Sequence, residues 1–344
     1  MAHMTIVAPG DPERSAASDS TGLVLRDPLP WHQLEQVVQT AEDTGYQAVF
    51  VPEIAGREAF VTLAGFAGAT NHLRLGTGVT TIWSRSPVTA AMAAASLQDL
   101  SGGRAILGIG AGSAQGSAAR LVEAAGPVEA VRRYLRIIRQ VLAGETVSDD
   151  TFGTAGFTLA LATQVGPPPV WLGALGNRMI SLGGQVADGV LLNWCTPDRV
   201  AQARTLIRGA AEGAGRDPRS VAIAVYVRAC LGVDEEVALH ALRSVTGQYA
   251  AIPHYLRQLQ AMGLGEAGTL AARAFQAGRP DQVPESLVRA LTVTGGRNDA
   301  LARFASYHQA GADLVLCYPV PALEPFSSIL GSVLAAAPDT AVEH

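Results

Sequence analysis

The chain has 344 residues, 48% of them hydrophobic, and a formal net charge of −5. That is enough for one large domain with a sizeable core. All 25 basic residues are arginine and form no patch of the kind that binds nucleic acid, and the three cysteines (Cys195, Cys230, Cys317) form no CxxC or His/Cys cluster, which argues against a disulfide framework or a zinc site.

Residues 1–20 read as a lead-in outside the fold, with MAHM at 1–4 a cloning remnant and a Ser/Asp/Pro-rich remainder. It lacks the apolar centre of a signal peptide, so the expected compartment is the cytoplasm. The longest apolar stretches are broken by Gly, Pro or charge well before about 18 residues, so no membrane span is expected. The folded domain is expected over 21–338, with 339–344 a tail.

The elements alternate from the start. Gly22–Leu25 reads as a strand, and Trp31–Thr44 as a helix with Leu34, Val37, Val38 and Ala41 on one face. Ala48–Val51 is a second strand with Pro52-Glu53 at its carboxyl end, and Glu58–Thr70 is helical. The stretch 73–113, LRLGTGVTTIWSRSPVTAAMAAASLQDLSGGRAILGIGAGS, organises the rest of the chain. It reads as a third strand, a loop bearing Gly76 and Gly78, a helix opened by Pro87, a stop at Ser101-Gly102-Gly103, a fourth strand and a loop bearing Gly110 and Gly112. Such loops bring backbone N–H groups up to an anion or a planar ring.

Pro127–Ala143 is an amphipathic helix with Val131, Leu135, Ile138 and Leu142 inward and Arg132, Arg133, Arg136 and Arg139 on a solvated face. Glu145–Ala162 is expected to form a hairpin or extended loop over the mouth of the fold. Val170–Leu172 is a fifth strand, followed by the loop Gly173-Ala174-Leu175-Gly176-Asn177 and a helix from Arg178. Gly189–Asn193 and Val221–Val227 are strands six and seven. Residues 234–310 suggest only helices, an insertion capping the fold or forming a dimer surface, before strand eight at Asp313–Cys317. Eight strand–helix units indicate a closed (β/α)8 TIM barrel of the α/β class, with its active site at the carboxyl ends of the strands. The glycine-rich loops come after strands three, four and five, not strand one, and Ser113 stands where G-x-G-x-x-G needs its third glycine, against a doubly wound sheet.

The motifs LRLGTGV (73–79), LSGGRAILGIGAG (100–112) and PPVWLGALGNRMISLGGQVADGVLLNW (168–194), in that order, resemble the luciferase-like superfamily of flavin and deazaflavin oxidoreductases. Within it the chain looks most like the branch that uses coenzyme F420 and includes methylenetetrahydromethanopterin reductase. The resemblance implies hydride transfer between the cofactor C5 and a small organic substrate, and a homodimer. An FMN-dependent monooxygenase using dioxygen is the alternative, and a cofactor-binding barrel without turnover is another.

The resemblance also assigns residues. A non-prolyl cis peptide is implied at Gly78–Val79, with Gly78, Val79 and Thr80 forming a bulge behind the cofactor ring. Ala111, Gly112 and Ser113 would line the cofactor side chain. Gly173, Ala174, Leu175, Gly176 and Asn177 would hold its phosphate with the start of the next helix, where free N–H groups favour an anion, and Arg178 would add charge. Glu53 and Ser113 are the candidate catalytic residues. Some relatives carry a His after that acid and a Glu at the Ser113 position; Ile54 and Ser113 depart from that pattern and argue against oxidation of glucose 6-phosphate. Trp83, Asn193 and Trp194 are candidate walls of the substrate pocket. Of the seven histidines none pairs at metal-ligand spacing, so no metal is expected.

Overall fold

Short runs of buried residues build the sheet. The computed structural model describes residues 20–26, 29–112, 126–161 and 164–338. Its strands are β1 (Thr21–Val24), β2 (Ala48–Val51), β3 (Arg74–Thr77), a two-residue continuation β4 (Thr80–Thr81) and β5 (Ala105–Gly110). They continue as β6 (Val147–Asp149), β7 (Thr154–Phe157), β8 (Val170–Gly173), β9 (Gly189–Asn193), β10 (Ala222–Leu231), β11 (Thr292–Gly295) and β12 (Leu314–Pro319). The parallel pairing β1-β2-β3-β5-β8-β9-β10-β12 closes on β1, so the eight expected units form a (β/α)8 barrel.

Helices flank these strands: α1 (Trp31–Asp43), α2 (Ala59–Ala69), α3 (Pro87–Leu100), α4 (Pro127–Leu142), α5 (Asn177–Val186) and α6 (Pro197–Gly213). Three of them, α2, α3 and α6, start on a side chain that accepts a leading amide. Ser86 accepts from Thr89 N–H and Thr196 from Arg199 N–H, each before a proline whose missing N–H costs nothing there. No helix among the described residues is long and apolar enough to cross a membrane.

Alternation along the strands makes two apolar layers. Phe50, Ile106, Trp171, Leu191, Ala224, Tyr226, Leu316 and Tyr318 fill the barrel interior. Leu23, Val49, Leu75, Leu107, Leu172 and Val190 face the helices with Val37, Val38, Ile138 and Ile180. Small residues accommodate the large ones: a Cβ at Gly76 would lie 2.3 Å from the Phe50 ring, and one at Gly189 2.5 Å from Trp171.

The barrel floor repeats one device. Asp188, just before β9, donates its N–H to the Val170 carbonyl at 2.9 Å and accepts the Val170 N–H on its carboxylate at 2.8 Å. Asp313, just before β12, does the same to Ile223, 2.8 Å each way. Each carboxylate also takes an arginine from the helix ring, Arg139 at 2.9 Å and Arg204 at 2.6 Å. Sequence reading misses these partners for the α4 arginines: Arg133 binds Asp149 at 2.6 Å, and Arg132 donates to Gln185 at 2.7 Å, so that face is not merely solvated.

Three further expectations are corrected. The β6–β7 hairpin does not roof the mouth. Asp149 takes the Arg133 guanidinium and Phe152 sets its ring edge-on to Tyr134 at 5.3 Å, so the hairpin braces the flank of α4. The insertion is shorter than 234–310 and not purely helical. Its helices α7 (Glu235–Ala250), α8 (Pro253–Ala261), α9 (Gly265–Gln276) and α10 (Glu285–Leu291) share a small core of their own. Then β11 adds to the upper half of β10 in parallel. By contrast α11 (Arg297–Gln309) packs Ala300, Phe304 and Tyr307 into the main core as an ordinary barrel helix, and α12 (Pro325–Ala335) closes the ring. Within α9, Gly268 packs closely on α8: a Cβ there would meet Leu259 at 2.9 Å.

Candidate active site

The carboxyl end of β2 delivers Glu53 to the barrel top, beside the segment that leaves β3. There the Gly78–Val79 peptide is cis, as the resemblance implied. The segment is tied on three sides. Gly78 N–H donates to the Val51 carbonyl at 2.8 Å, the Val79 carbonyl accepts Glu53 N–H at 3.3 Å, and Tyr226 Oη donates to the Gly78 carbonyl at 2.8 Å. No side chain fits at position 78, since a Cβ would lie 2.2 Å from the Tyr226 hydroxyl. Burial pushes the Tyr226 phenol up, so it remains a neutral donor to that carbonyl.

Glu53 does not cap α2; Glu58 does, accepting Val61 N–H at 2.5 Å. The Glu53 carboxylate instead accepts from Thr80 Oγ1 at 2.5 Å, Ser84 Oγ at 3.2 Å and Arg85 Nη2 at 2.6 Å. Arg85 also pairs with Glu58 and lies 4.9 Å from the centre of the Phe60 ring. Burial raises the Glu53 carboxyl, but the Arg85 guanidinium with the Thr80 and Ser84 hydroxyls outweighs it, and the group lies below the usual carboxylate range. At neutral pH it is an anion that accepts protons and hydrogen bonds.

Beside the bulge the neighbouring strands end in glycines. Thr80 and Thr81 pair with Ile109 and Gly110 of β5, and Gly110 pairs with Gly173 at the end of β8. The Val79 side chain sits against both glycines; a Cβ would come within 2.5 Å of it from Gly110 and 3.1 Å from Gly173. Gly112, at φ +59°, lies so close to Thr81 that a Cβ would meet it at 2.6 Å. Thus Gly78, Val79, Thr80, Gly112 and Gly173 come together, with Ala111 half-buried between Gly110 and Gly112. Ser113 lies outside the described residues.

The loop after β8 is held from below. Ala174 N–H donates to Leu191 and the buried Arg199 donates to the Leu175 carbonyl at 2.8 Å; sequence reading misses Arg199. Gly176, Asn177 and Arg178 are exposed, and no side chain caps α5, whose N-cap is Gly176. The first turn lines a cleft of about 440 Å³ shared with the start of α4 at Gly126–Glu129 and with Arg132. Arg132 is shared between Glu129, which lines the same cleft, and Gln185, so the two helix N-termini and the Arg178 guanidinium are what favour an anion there.

Trp83 packs on the core with its indole Nε1 buried and without a hydrogen-bond partner among the described residues. Asn193 and Trp194 end β9 on the far side of the mouth. They meet a residue absent from the sequence reading, Arg228 of β10, 2% exposed. Its guanidinium donates to Asn193 Oδ1 and lies 4.4 Å from both the Trp194 and Tyr318 ring centres. The available signal is a lone arginine inside the apolar strand sequence AIAVYVRACL.

A closed parallel barrel thus carries, at its mouth, a cis-peptide bulge after the third strand, glycines at the ends of the next two and an uncapped helix start after the fifth. Residues 4–314 match the luciferase-like monooxygenase family, and the chain belongs to that family. It is 31% identical over 286 residues to a 5,10-methylenetetrahydromethanopterin reductase of Methanolobus tindarius, covering 80% of this chain and 86% of the relative. It is 27% identical over 313 residues to a putative coenzyme F420-dependent oxidoreductase of Mycobacterium tuberculosis, covering 82% and 89%. The coenzyme F420 dependent tetrahydromethanopterin reductase of Methanopyrus kandleri superposes with a TM-score of 0.76 at 22% identity, over 93% of this chain and 98% of that one.

Proposed function

We propose that the protein is a coenzyme F420-dependent oxidoreductase that transfers a hydride between the deazaflavin C5 and a small organic substrate. The observation that carries this reading is the joint geometry of the mouth. A bulge at 78–80 faces glycines 110, 112 and 173, while an uncapped α5 start with Arg178 borders an anion-suited cleft. The F420 relatives support the choice of cofactor.

The residues present fit such a group. Gly112 and Gly173 let the Thr81 and Val79 side chains lie close to the wall beneath the ring, and the Asn177 and Arg178 amides with the Arg178 guanidinium would hold a phosphate. When bound, the deazaflavin supplies the two-electron chemistry. The chain contributes orientation through the Tyr226-anchored Gly78 carbonyl, exclusion of water by the Val79 and Trp83 side chains, and a fixed carboxylate at Glu53 that receives or relays a proton through Thr80 and Ser84. We also propose a homodimer, to which the exposed Val61 (73%) of α2 and Met92 (46%) of α3 would contribute apolar surface.

The test is a fluorescence titration with F420, with a deazaflavin lacking the phosphorylated tail, and with FMN, followed by turnover of reduced F420 against unsaturated and carbonyl acceptors. The proposal expects tight binding of F420, at least tenfold weaker binding of the truncated form, and turnover without oxygen uptake. Preferred FMN binding with oxygen consumption would establish the monooxygenase reading instead, and F420 binding without turnover a carrier.

A further inference from the structure

Arg228 poses a problem of charge. It is 2% exposed, yet among the described residues no carboxylate pairs with it, and its only hydrogen bond to them goes to Asn193. Arg199, buried to a similar degree, has a clear fixed role beneath the 175 loop. An unpaired buried cation is costly. Four aromatic faces reduce that cost: Trp194 and Tyr318 at 4.4 Å, Tyr249 at 5.1 Å and Tyr226 at 6.0 Å. They supply no hydrogen-bond acceptor in the guanidinium plane, which a fork of five N–H donors is built to fill.

The position is as telling as the charge. Ala224 and Tyr226 belong to the barrel interior, and strand alternation puts Arg228 on the same face one step nearer the mouth. It therefore stands directly above the tyrosine whose hydroxyl holds the Gly78 carbonyl, on the inner wall opposite the glycines. Around it the polar inventory is incomplete. Among the described residues, Trp194 Nε1 is a buried donor without a hydrogen-bond partner, on a residue 3% exposed that holds φ +52°, the one positive φ outside glycine. Gln258, 7% exposed, donates its amide N–H groups to the Asn193 and Trp194 carbonyls at 2.8 and 2.6 Å, and its Oε1 has no partner among the described residues. Asn193 is fixed by Tyr255 at 2.9 Å, so the insertion helix α8 sets this cluster through Tyr255 and Gln258.

We propose that Arg228, with the Trp194 indole N–H, is the substrate-recognition site of this enzyme and takes a planar carboxylate on an otherwise apolar, unsaturated frame. The carboxylate supplies the missing negative charge and the in-plane acceptors, and the aromatic faces pack the frame. This deepens the oxidoreductase reading, on which it rests, by naming the substrate class, and it makes the insertion the carrier of specificity.

The experiment uses the full-length protein and calorimetric titration with matched acids and amides: crotonate and crotonamide, benzoate and benzamide, cinnamate and cinnamamide, each with and without F420. Wild-type protein is expected to bind at least one acid tenfold or more tightly than its amide, with a change in Trp fluorescence. Arg228→Met is expected to abolish the preference, and Arg228→Lys to keep part of it. Thermal melting of Arg228→Met is expected to stay within a few degrees of wild type; should that variant fail to fold, the wild-type acid/amide ratio and the Lys variant still decide. The proposal is overturned if no acid outbinds its amide, or if Arg228→Met retains the preference. Since the titrations without F420 do not depend on the cofactor, loss of F420 binding with the acid preference intact would refute the oxidoreductase reading alone.

Discussion

Glu53 sets the charge balance of the mouth. Its carboxyl lies below the usual range in the folded chain, so it binds fewer protons there than unfolded. The stability it contributes is present above the unfolded value, about 4.3, and is lost as pH falls through the lowered folded value. Glu53→Gln is therefore expected to cost about 1 kcal/mol at neutral pH, since Arg85 keeps Glu58 as a partner. It is also expected to shrink the loss of stability between roughly pH 5 and pH 3. Urea unfolding at several pH values reads both. An unchanged acid limb in the variant would mean that the Arg85–Glu53 contact carries no differential proton binding. At Arg178 the expectation concerns binding only: the side chain is exposed and forms no ion pair with any described residue, so Arg178→Glu should leave folding unchanged and weaken F420 binding by about tenfold. Equal affinity would remove Arg178 from the phosphate site.

The elements show which parts of the site are legible in sequence. Short apolar runs and their glycines announce β1, β2, β3 and β5 and the turn at Gly78, because a buried strand leaves a composition signal and a close approach leaves a glycine; the two-residue β4 leaves neither. The hairpin is misplaced by sequence alone, since its position depends on Asp149 finding Arg133, a pairing that no spacing encodes. Arg228 goes unnoticed for the same reason: its environment comes from β9, β10, β12, α7 and α8, brought together only by closure of the barrel. The two aspartates beneath β9 and β12 belong to this scale as well. Asp188→Asn and Asp313→Asn each remove a charge-assisted acceptor of a strand N–H and an arginine partner, and each is expected to cost about 1–3 kcal/mol. Both lie at the floor, where the barrel invests in stability, so turnover per folded molecule should not change. A fall in kcat without loss of stability would show that the floor communicates with the mouth.

For the whole molecule, the barrel supplies rigidity and the segment 235–291 supplies difference. The insertion has its own core, and that core includes Trp194 and Cys230, which the barrel contributes. The Cys230 thiol, pushed up to about 11 by burial, is a packing residue there and not a nucleophile. Assembly is tested at the same scale. Light scattering is expected to give a dimer, and Val61→Glu combined with Met92→Glu a folded monomer; a monomeric wild type would exclude the homodimer. On the proposed function, the bulge at 78–80, the glycines at 110, 112 and 173, and the start of α5 form one cofactor seat. A crystal structure of the protein soaked with coenzyme F420 tests it most directly. The account predicts the deazaflavin ring against Val79 and Thr80 with its phosphate on the Asn177 and Arg178 amides. Density for the ring outside the barrel mouth, or for the phosphate on the loops after β10 and β12, would contradict it.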